Sequence, residues 1–552
     1  MVSHSRHRRR QRPGGPNILT TFIAGSFAIS LIFMVLSIHI GSSINDIGGA
    51  GNIQKHPFIV DPNDDPKRLS TSREKTGAVG EQMNKPRVTD DSEKHAHDNH
   101  NENALNDNLV QIINSKEKHE NVPDGKDAHE KILPAGILDN PLLQKINGRG
   151  GPNYHLVFST DCSAFQRWQS YLLFYSAYKV GQPGTVTRIA SGCEGDDIDK
   201  EKEFHDERIS KHMSPNFKLH FTPHFSKVKD GEGNDTGEDY KFFNKPFGVL
   251  HWLEHAEEKV TDDDIVIILD PDQVLTRPIT NDFSNLNENL LIGDNPKTKV
   301  EHGSPFAQKY GYGAKWTEFD LETITNSKDT PARGVNHQDA LDHYPAGPPY
   351  LATVKDMHVI AKNWADFVPR VHAEHPHLLA EMYAFCIAAA HAKLPHQMAT
   401  SLMVSASSSS RGEGWALVHN IEDKNICSPT VMEDAVLPSV LHYCQRYMVG
   451  KNFFGKRKMP KDIFTCESPL LNLPPTDIAK MDYFVPPSPH RPRDEHKPLD
   501  SGRAKRETFM ICTLTRLVND AALFYQKTNC DSDKDMNVAI DLWSGKTIQV
   551  SK

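Results

Sequence analysis

The sequence predicts an α/β fold, a mostly parallel sheet with helices on both faces, preceded by one transmembrane helix and a disordered stem. Beyond residue 153, short apolar runs alternate with segments whose apolar residues recur at helical spacing. Such alternation is typical of parallel sheets. One run, IVIIL (265–269), is apolar throughout, as a buried strand would be. Closer to the N-terminus, one long apolar segment is followed by a long polar one.

The elements of the sheet are predicted from their apolar periodicity. In chain order they are a strand at 154–161, a helix at 165–180, strands at 185–191 and 216–223, a helix at 244–256 and a strand at 264–272. In sheets of this kind, ligands bind beyond the carboxyl ends of the strands. We therefore expect the residues that end the last of these strands to lie at a binding edge.

The first forty residues are typical of a membrane anchor. Residues 3–12 carry five arginines, and the largely apolar segment 18–40, 23 residues long, includes only one titratable group, His39. At about 1.5 Å per residue such a helix spans roughly 35 Å, enough to cross a hydrocarbon core. The positive-inside rule then places residues 1–16 in the cytosol and the chain beyond the 17–40 helix on the other side. This predicts a single-pass type II membrane protein.

Composition divides the remainder of the chain. Residues 41–150 are polar and have too few apolar residues to offset the entropy of ordering, so they are predicted to form a disordered lumenal stem. Residues 151–470 form the predicted folded domain, and residues 471–552 a Pro-rich segment and a helical extension, with helical spacing over 506–530. All eight cysteines lie beyond residue 160, which permits disulfides in an oxidising compartment. A net charge of −9 gives no basic footprint for nucleic acid.

Two aspartates one residue apart, Asp270 and Asp272, follow the most apolar strand. Carboxylates this close repel each other unless a cation neutralises them, and hard oxygen ligands suit Mn²⁺ or Mg²⁺. Such an ion acts as a Lewis acid on a diphosphate leaving group. The D-x-D pattern alone is weak evidence, because it recurs in this chain at places that do not follow a buried strand. A strand-capping turn is an alternative explanation of Asp270.

A third metal or phosphate contact is expected from the C-terminal part of the domain. His442 follows a short apolar run and is the candidate, although a lone histidine is more often structural. Downstream, the basic segment 450–458, which includes Lys451, can hold a diphosphate or form a solvated face. The chain contains no G-x-x-x-x-G-K-[ST] sequence, which argues against P-loop chemistry.

The segment HLVFSTDCSAFQRWQSYLLFYSAYKVGQPGTVTRIASGC resembles the opening of the hydroxyproline O-arabinosyltransferase and peptidyl serine α-galactosyltransferase group. The similarity continues in order through NKPFGVLHWLE and IVIILDPDQVLTRPI, and more loosely to about residue 470. The ordered combination is more specific than any one piece. The resemblance implies a GT-A fold, a UDP-linked sugar donor, and a hydroxyl acceptor on a protein or peptide.

The resemblance also implies roles for individual residues. Asp270 and Asp272 would hold the metal, with His442 as the third ligand. The residues implied in donor binding are Phe158, Ser159 and Thr160 beside the nucleotide, Arg188 near the uracil or diphosphate, and Asn244 and Lys245 in the donor pocket.

Two acidic residues are implied on the acceptor side. Glu381 opens a predicted helix and would orient or deprotonate the acceptor hydroxyl. A carboxylate at a helix N-terminus is also electrostatically favourable, which gives Glu381 a purely structural alternative. Asp339 is a weaker candidate for contacts with sugar hydroxyls.

Other functions remain open on the sequence. Peptidyl serine galactosyltransferase activity is favoured, and hydroxyproline arabinosyltransferase activity or a non-catalytic glycan-binding role are the alternatives. A nucleotide-diphosphate hydrolase of similar topology is a further one. A type II topology is compatible with a Golgi or an ER membrane, and the chain does not end in K-D-E-L. The sequon at Asn234 predicts a glycosylated surface loop.

Overall fold

The computed structural model describes residues 152–230, 233–477, 500–531 and 537–550. The predicted cytosolic segment, transmembrane helix and stem lie outside these residues, as does most of the Pro-rich segment. Within the described ranges, no helix is both long enough and apolar enough to cross a membrane. All of the described residues belong to one compact unit.

The strands are numbered in chain order. They are β1 Tyr154–Asp161, β2 Thr185–Ser191, β3 Phe217–Thr222, β4 Lys227–Lys229, β5 Asp235–Asp239, β6 Ile265–Leu269, β7 Gln273–Leu275, β8 Phe306–Lys309, β9 Ala346–Thr353, β10 Gln397–Ala399, β11 Met403–Val404, β12 Val440–His442, β13 Arg446–Val449, β14 Asn452–Gly455, β15 Leu470–Leu471, β16 Val538–Asp541 and β17 Lys546–Gln549.

The α-helices are numbered in the same way. They are α1 Ala164–Val180, α2 Asp196–His205, α3 Asn244–His255, α4 Leu321–Thr325, α5 His337–His343, α6 Val354–Glu374, α7 Ala380–His391, α8 Trp415–His419, α9 Val431–Asp434 and α10 Ser501–Asn529. The predicted strands and helices between residues 154 and 269 are thereby confirmed, with β6 ending at Leu269 and a turn separating it from β7.

The main sheet of the described part has seven strands in the order β10-β8-β9-β6-β1-β2-β3. Strands β6, β1, β2 and β3 pair in parallel, whereas β9 runs antiparallel to both of its neighbours, β6 and β8. The prediction of a mostly parallel α/β sheet is therefore confirmed. The parallel pairing brings the carboxyl ends of β1, β2 and β6 to the same edge.

Apolar side chains of the sheet are buried on both of its faces. On one face, Leu156 and Ile267 pack in a cluster that includes residues of α1 and α10. On the other, Val266 and Ile268 pack with residues of α3, α6 and α7. Alternation of side chains along β6 explains why all five of its residues are buried. Helices therefore cover both faces, as predicted.

The Q-P-G segment shapes the connection from α1 to β2. Gly184 has φ +82, and a Cβ there would lie 2.0 Å from the Tyr154 carbonyl oxygen, so only glycine fits. Gln182 is buried, accepts a hydrogen bond from the Ile279 amide at 2.8 Å and donates to its carbonyl at 3.0 Å. These contacts join the start of β2 to the chain beyond β7.

Disulfides connect the described parts of the domain. The pairs are Cys162–Cys193, Cys427–Cys512 and Cys466–Cys530. The first links the ends of β1 and β2, and the other two attach α10 and its end to the preceding domain. Cys386 and Cys444 have free thiols. The predicted helix at 506–530 is confirmed as α10, and it belongs to the core rather than to the surface.

Candidate active site

Two carboxylates end the central strand of the sheet. Asp270 is half-buried and Asp272 is only 6% exposed, because the chain turns back after β6 into β7. The Gln273 side chain holds this turn: its Oε1 accepts the Asp270 amide at 3.0 Å, and its Nε2 donates to the Pro348 carbonyl at 3.0 Å. Both carboxylates thus lie at the carboxyl edge of β6, where ligands of such sheets bind.

His442 reaches the same place through a small second sheet. Strand β12 pairs antiparallel with β7 and sets His442 opposite Gln273. The His442 Nε2 lies 3.3 Å from an Asp272 carboxylate oxygen and 4.0 Å from one of Asp270. One ligand atom from each of these three residues lies within 4.8 Å of the others. The structure therefore brings the predicted metal ligands together.

Two lysines balance the charge of the carboxylates. The Lys245 Nζ lies 2.7 Å from Asp270 and 3.2 Å from Glu381, and Lys456 is paired with Asp272. Lys245 comes from the first turn of α3, and Lys456 follows β14. Both aspartates are therefore ion-paired, and the two ammonium groups offset the repulsion between the neighbouring carboxylates.

Burial and charge shift the pKa values at this site in opposite directions. Burial alone would raise the pKa of Asp272, but His442 and Lys456 hold it well below its usual range. Burial opposes protonation of His442, yet the Cys444 thiol and the Asp272 carboxylate raise its pKa well above the ordinary value. Burial raises the pKa of Glu381 to about 7, although Lys245 acts against that shift. The cluster is strongly coupled, as functional sites often are.

The donor set fits a hard divalent cation. It offers carboxylate oxygens from Asp270 and Asp272 and one imidazole nitrogen from His442. Mn²⁺ and Mg²⁺ prefer carboxylate oxygen, and Mn²⁺ also accepts imidazole. The lysine pairing shows that this site needs positive charge next to its carboxylates. A bound cation would supply that charge and leave both lysines available to other anions.

Glu381 shares the Lys245 ammonium group with Asp270. It is 2% exposed, in the first turn of α7, and its backbone amide donates to the Tyr240 hydroxyl at 3.1 Å. The Trp364 indole donates to the Glu381 carbonyl at 2.8 Å. These contacts fix the start of the helix and direct the carboxylate to Lys245. Glu381 therefore lies next to the carboxylate site, and its role on the acceptor hydroxyl stays a prediction.

Arg188 does not face a ligand. Its guanidinium is 1% exposed and donates to the Glu201 carboxylate at 2.6 Å, to the Thr160 hydroxyl at 2.8 Å and to the Asp161 carbonyl at 3.0 Å. Arg188 was predicted to lie near the uracil or the diphosphate, but α2 supplies a buried carboxylate that takes up its charge. Arg188 instead joins β1 and β2 to α2.

The residues at the end of β1 are also mainly structural. The Phe158 side chain is fully buried and packs edge-on against Phe174 at 5.3 Å, so its predicted contact with a nucleotide was wrong. Thr160 is buried and donates to the Ile189 carbonyl. Ser159 is only partly buried and donates to the Asn244 carbonyl at 3.2 Å. Ser159 is the one residue of this predicted set that keeps some exposure.

Asn244 supports the site without facing it openly. Its side-chain oxygen accepts the Phe225 amide at 2.9 Å and so ties the loop after β3 to the start of α3. The buried Asn244 thereby places the next residue, Lys245, beside Asp270. Its predicted role in shaping the donor pocket becomes one of positioning Lys245.

Two predicted residues are not brought into the cluster. Asp339 is exposed in the first turn of α5, where it exchanges hydrogen bonds with Asn336 as a helix cap. Lys451 is exposed in the turn between β13 and β14. Within the basic segment, it is Lys456 that reaches Asp272. The sequence indicated a basic segment here but gave no signal for which lysine faces inward.

The residues that match known proteins include the carboxylate pair. Residues 154–290 match the model described as the hydroxyproline O-arabinosyltransferase family N-terminal domain. A peptidyl serine alpha-galactosyltransferase of Arabidopsis thaliana is 33% identical over 172 residues, 31% of this chain and 18% of that protein. One of Chlamydomonas reinhardtii is 30% identical over 139 residues, 25% of this chain and 16% of that protein. The chain thus matches less than a fifth of the length of each of these relatives. Its resemblance to this group is confirmed over residues 154–290.

Solved glycosyltransferase structures show a more distant similarity. The galactosyltransferase LgtC in complex with donor and acceptor sugar analogs is 13% identical, with a TM-score of 0.27 over 53% of this chain and 87% of that one. Mouse xyloside xylosyltransferase 1 is 11% identical, with a TM-score of 0.27 over 52% of this chain and 97% of that one. Scores this low support no inference, and the fold assignment rests on the sheet itself.

Proposed function

We propose that this chain is a metal-dependent glycosyltransferase of the GT-A type. It would move a sugar from a UDP-sugar to the hydroxyl of serine or hydroxyproline in a protein of the secretory pathway. The observation that carries the proposal is the Asp270, Asp272 and His442 cluster at the carboxyl edge of the parallel sheet. Both aspartates lie within the residues that match the glycosyltransferase family model. The names of the two curated relatives favour serine as the acceptor and galactose as the sugar.

Asp270, Asp272 and His442 would hold Mn²⁺ or Mg²⁺. The bound cation would act as a Lewis acid that neutralises the charge developing on the UDP leaving group. Lys456 and Lys245 pair with the same carboxylates in the structure. If a cation bound the carboxylates, the ammonium groups of the two lysines would become available to hold diphosphate oxygens. The lysines and the cation together would then stabilise the departing diphosphate.

Glu381 would act on the acceptor hydroxyl. Its carboxylate contacts the same lysine as Asp270, so a hydroxyl bound beside it would be near the donor. A buried carboxylate can orient a hydroxyl and accept its proton. Ser159, the partly buried residue near the end of β1, would line the same edge.

The proposed location is the lumenal side of a Golgi or ER membrane. The described residues form disulfides that link β1 to β2 and α10 to the domain, and such bonds persist in oxidising compartments. The anchor would be the apolar segment at 17–40. Expression of the chain with a tag at either end, followed by protease protection of sealed vesicles, tests this orientation.

A release assay tests donor and acceptor together. The purified chain would be incubated with a panel of UDP-sugars, with and without Mn²⁺, and with peptides that contain serine or hydroxyproline. We expect Mn²⁺-dependent release of UDP from UDP-galactose, increased by a serine peptide. Asp270→Asn with Asp272→Asn should abolish the release, and Asp339→Asn, at an exposed helix cap, should leave it unchanged.

The family model name favours a second candidate, arabinose transfer to hydroxyproline. Release from a UDP-arabinose donor, increased only by the hydroxyproline peptide, would establish it in place of the first. If no UDP-sugar is turned over or bound in the presence of metal, the enzyme proposal is wrong. Metal-independent binding to a glycan array would then indicate a glycan-binding protein.

A further inference from the structure

A chain of hydrogen bonds joins two residues of the candidate metal site. The Gln273 side chain accepts the Asp270 amide and donates to the Pro348 carbonyl, each at 3.0 Å. The same carbonyl accepts a hydrogen bond from the Tyr310 hydroxyl at 3.1 Å. That hydroxyl oxygen lies 3.5 Å from the Nδ1 of His442. The backbone of Asp270 and the ring of His442 are therefore connected, and the proposed glycosyl transfer assigns no role to Tyr310.

Residues in and just before β9 hold Tyr310 in place. Tyr310 follows β8 directly, and its amide donates to the Pro345 carbonyl at 2.7 Å. A Cβ at Gly347 of β9 would overlap two carbons of the Tyr310 ring, so the ring fits here only because residue 347 has no side chain. The position of the hydroxyl is thus set at three points of the residue: its amide, its ring and its hydroxyl group itself.

The partners of the Tyr310 hydroxyl determine the direction of each hydrogen bond. A tyrosine hydroxyl has one proton to donate, and its oxygen can also accept. Two of its partners can only accept, the Pro348 carbonyl oxygen at 3.1 Å and the Met403 sulfur at 3.3 Å. Both lie closer to the hydroxyl than the Nδ1 of His442 does. The hydroxyl proton therefore goes to one of these acceptors, and the oxygen accepts the Nδ1–H of His442.

A proton held on Nδ1 leaves the other ring nitrogen of His442 for a cation. The hydrogen bond that one imidazole nitrogen makes decides which nitrogen is left to bind a metal. The Nε2 of His442 faces the carboxylates, 3.3 Å from Asp272 and 4.0 Å from Asp270. A cation bound to these carboxylates would take the place of the Nε2 proton, while the Nδ1 proton stays with Tyr310.

We propose that Tyr310 is a positioning residue, which orients the His442 ring and keeps its Nε2 available to the cation. This inference rests on the proposed metal-binding role of Asp270, Asp272 and His442. A histidine that binds a metal almost always donates its other ring N–H to an acceptor, and loss of that acceptor weakens metal binding. Tyr310 supplies the acceptor from β8, a strand that carries none of the three ligands.

Mn²⁺ binding to the full-length chain tests this role without any turnover. Mn²⁺ is paramagnetic, so pulsed EPR detects a directly bound imidazole nitrogen through its magnetic coupling, and titration calorimetry gives the affinity. Both are measured with and without UDP. Because the chain has 29 histidines, His442→Ala defines the coupling that comes from the others. We expect Tyr310→Phe to lose most of the coupling that His442→Ala loses, and to raise the Kd for Mn²⁺ about tenfold or more.

Two control variants separate positioning from folding and from a neighbouring thiol. Tyr312→Phe removes the hydroxyl of a buried tyrosine two residues further on, which contacts Ala346 and Cys386 rather than the cluster. It matches the loss of a hydroxyl and should leave Mn²⁺ binding unchanged. Cys444→Ala removes the thiol that also contacts the His442 side chain, and the Kd for Mn²⁺ should stay near that of the wild type. The Tm of each variant verifies that it is folded.

Each outcome decides a separate point. Equal nitrogen coupling and equal Mn²⁺ affinity in the wild type and Tyr310→Phe would overturn the proposal, as would a loss seen in Cys444→Ala instead. An equal loss in Tyr312→Phe would show an effect of folding alone and would also overturn it. A wild type with no more coupling than His442→Ala would contradict the metal role of His442 itself. A wild type with the coupling but without sugar transfer would contradict only the proposed glycosyltransferase function.

Discussion

Lys245 and Lys456 neutralise the negative charge of the candidate site. Each pairs with one of the two aspartates that end the central strand. A cation at Asp270 and Asp272 must compete with these lysines, so cation binding and the lysine contacts are coupled. A ligand with its own negative charge, such as a diphosphate, relieves that competition because it accepts the displaced lysines.

Substitution of Glu381 should reduce turnover without a loss of donor binding. Glu381→Gln keeps the shape of the side chain and removes its ability to accept the acceptor proton. We expect kcat to fall at least about 100-fold, the lower end for general base catalysis. UDP affinity in the presence of Mn²⁺ should change by less than about threefold. Steady-state kinetics and calorimetry measure the two effects.

The matched control for Glu381 is Glu203→Gln, an exposed glutamate of α2. It should leave both quantities unchanged. Full turnover in the Glu381→Gln variant would show that this carboxylate only stabilises the start of α7.

Substitution of Arg188 should lower the free energy of unfolding. Arg188→Met leaves the buried Glu201 carboxylate with only Arg167 as a charged partner. Removal of one partner from a buried ion pair costs about 3–5 kcal/mol in the free energy of unfolding. Urea denaturation measures this loss, with exposed Lys200→Met on α2 as the control. If the variant has normal stability and a raised KM for the donor, Arg188 acts in nucleotide binding instead.

Some of these residue roles could be read from the sequence and others could not. Asp270 and Asp272 were predictable because they directly follow a strand that is apolar throughout, which fixes the edge they occupy. The partners of Arg188 and Lys245 depend on contacts between distant segments, such as the 136 residues that separate Lys245 from Glu381. Local periodicity contains no information on such pairs.

At the scale of elements, helix α10 holds a loop near the candidate site. Its buried Glu507 accepts the Ser407 hydroxyl at 2.7 Å and the Met448 amide at 2.7 Å. Ser407 belongs to the segment between β11 and α8, and the neighbouring Ser405 contacts Cys444 at 3.0 Å. The helix is thus connected through its polar side chains to the strands that carry His442.

For this helix, Glu507→Ala should lower the free energy of unfolding by about 1–3 kcal/mol. The reason is that the buried Ser407 hydroxyl and the partly buried Met448 amide lose their acceptor, and an unsatisfied buried donor costs about that much. Lys527→Ala, at an exposed position of the same helix, should change stability by less than about 0.5 kcal/mol. Chemical denaturation compares the two, and equal effects would show that the Glu507 contacts are not needed.

The sequence predicted α10 from helical spacing, and its position in the core was not predictable. The prediction of a helix at 506–530 agrees closely with the observed Ser501–Asn529. Its burial depends on pairing of Cys512 with Cys427 and of Cys530 with Cys466. Eight cysteines allow many pairings, so the sequence could not choose among them.

At the scale of the whole molecule, buried neutral histidines predict sensitivity to acid. Burial lowers the pKa of His396 to about 3 and that of His205 to about 4. In the unfolded chain both titrate near 6.5, so below that pH the unfolded state binds protons that the native state does not. Stability should therefore fall as the pH is lowered from about 6.5 towards 4, by up to about 1.4 kcal/mol per pH unit for each histidine.

Urea denaturation at several pH values tests this dependence. His396→Gln should give a shallower decline in stability between about pH 6.5 and 4 than the wild type, while His337→Gln, at an exposed position, should follow the wild type. Equal slopes for the wild type and His396→Gln would show that His396 is protonated in the folded protein.

The proposed role of Asp270, Asp272 and His442 is to hold a cation that binds a nucleoside diphosphate. Calorimetric binding of UDP, with and without Mn²⁺, tests it most directly in the wild type and in D270N/D272N, with folding verified by circular dichroism. We expect the wild type to bind UDP only in the presence of Mn²⁺. We expect the double variant not to bind UDP with or without Mn²⁺. Equal UDP binding by both proteins, or binding that does not depend on Mn²⁺, would contradict it.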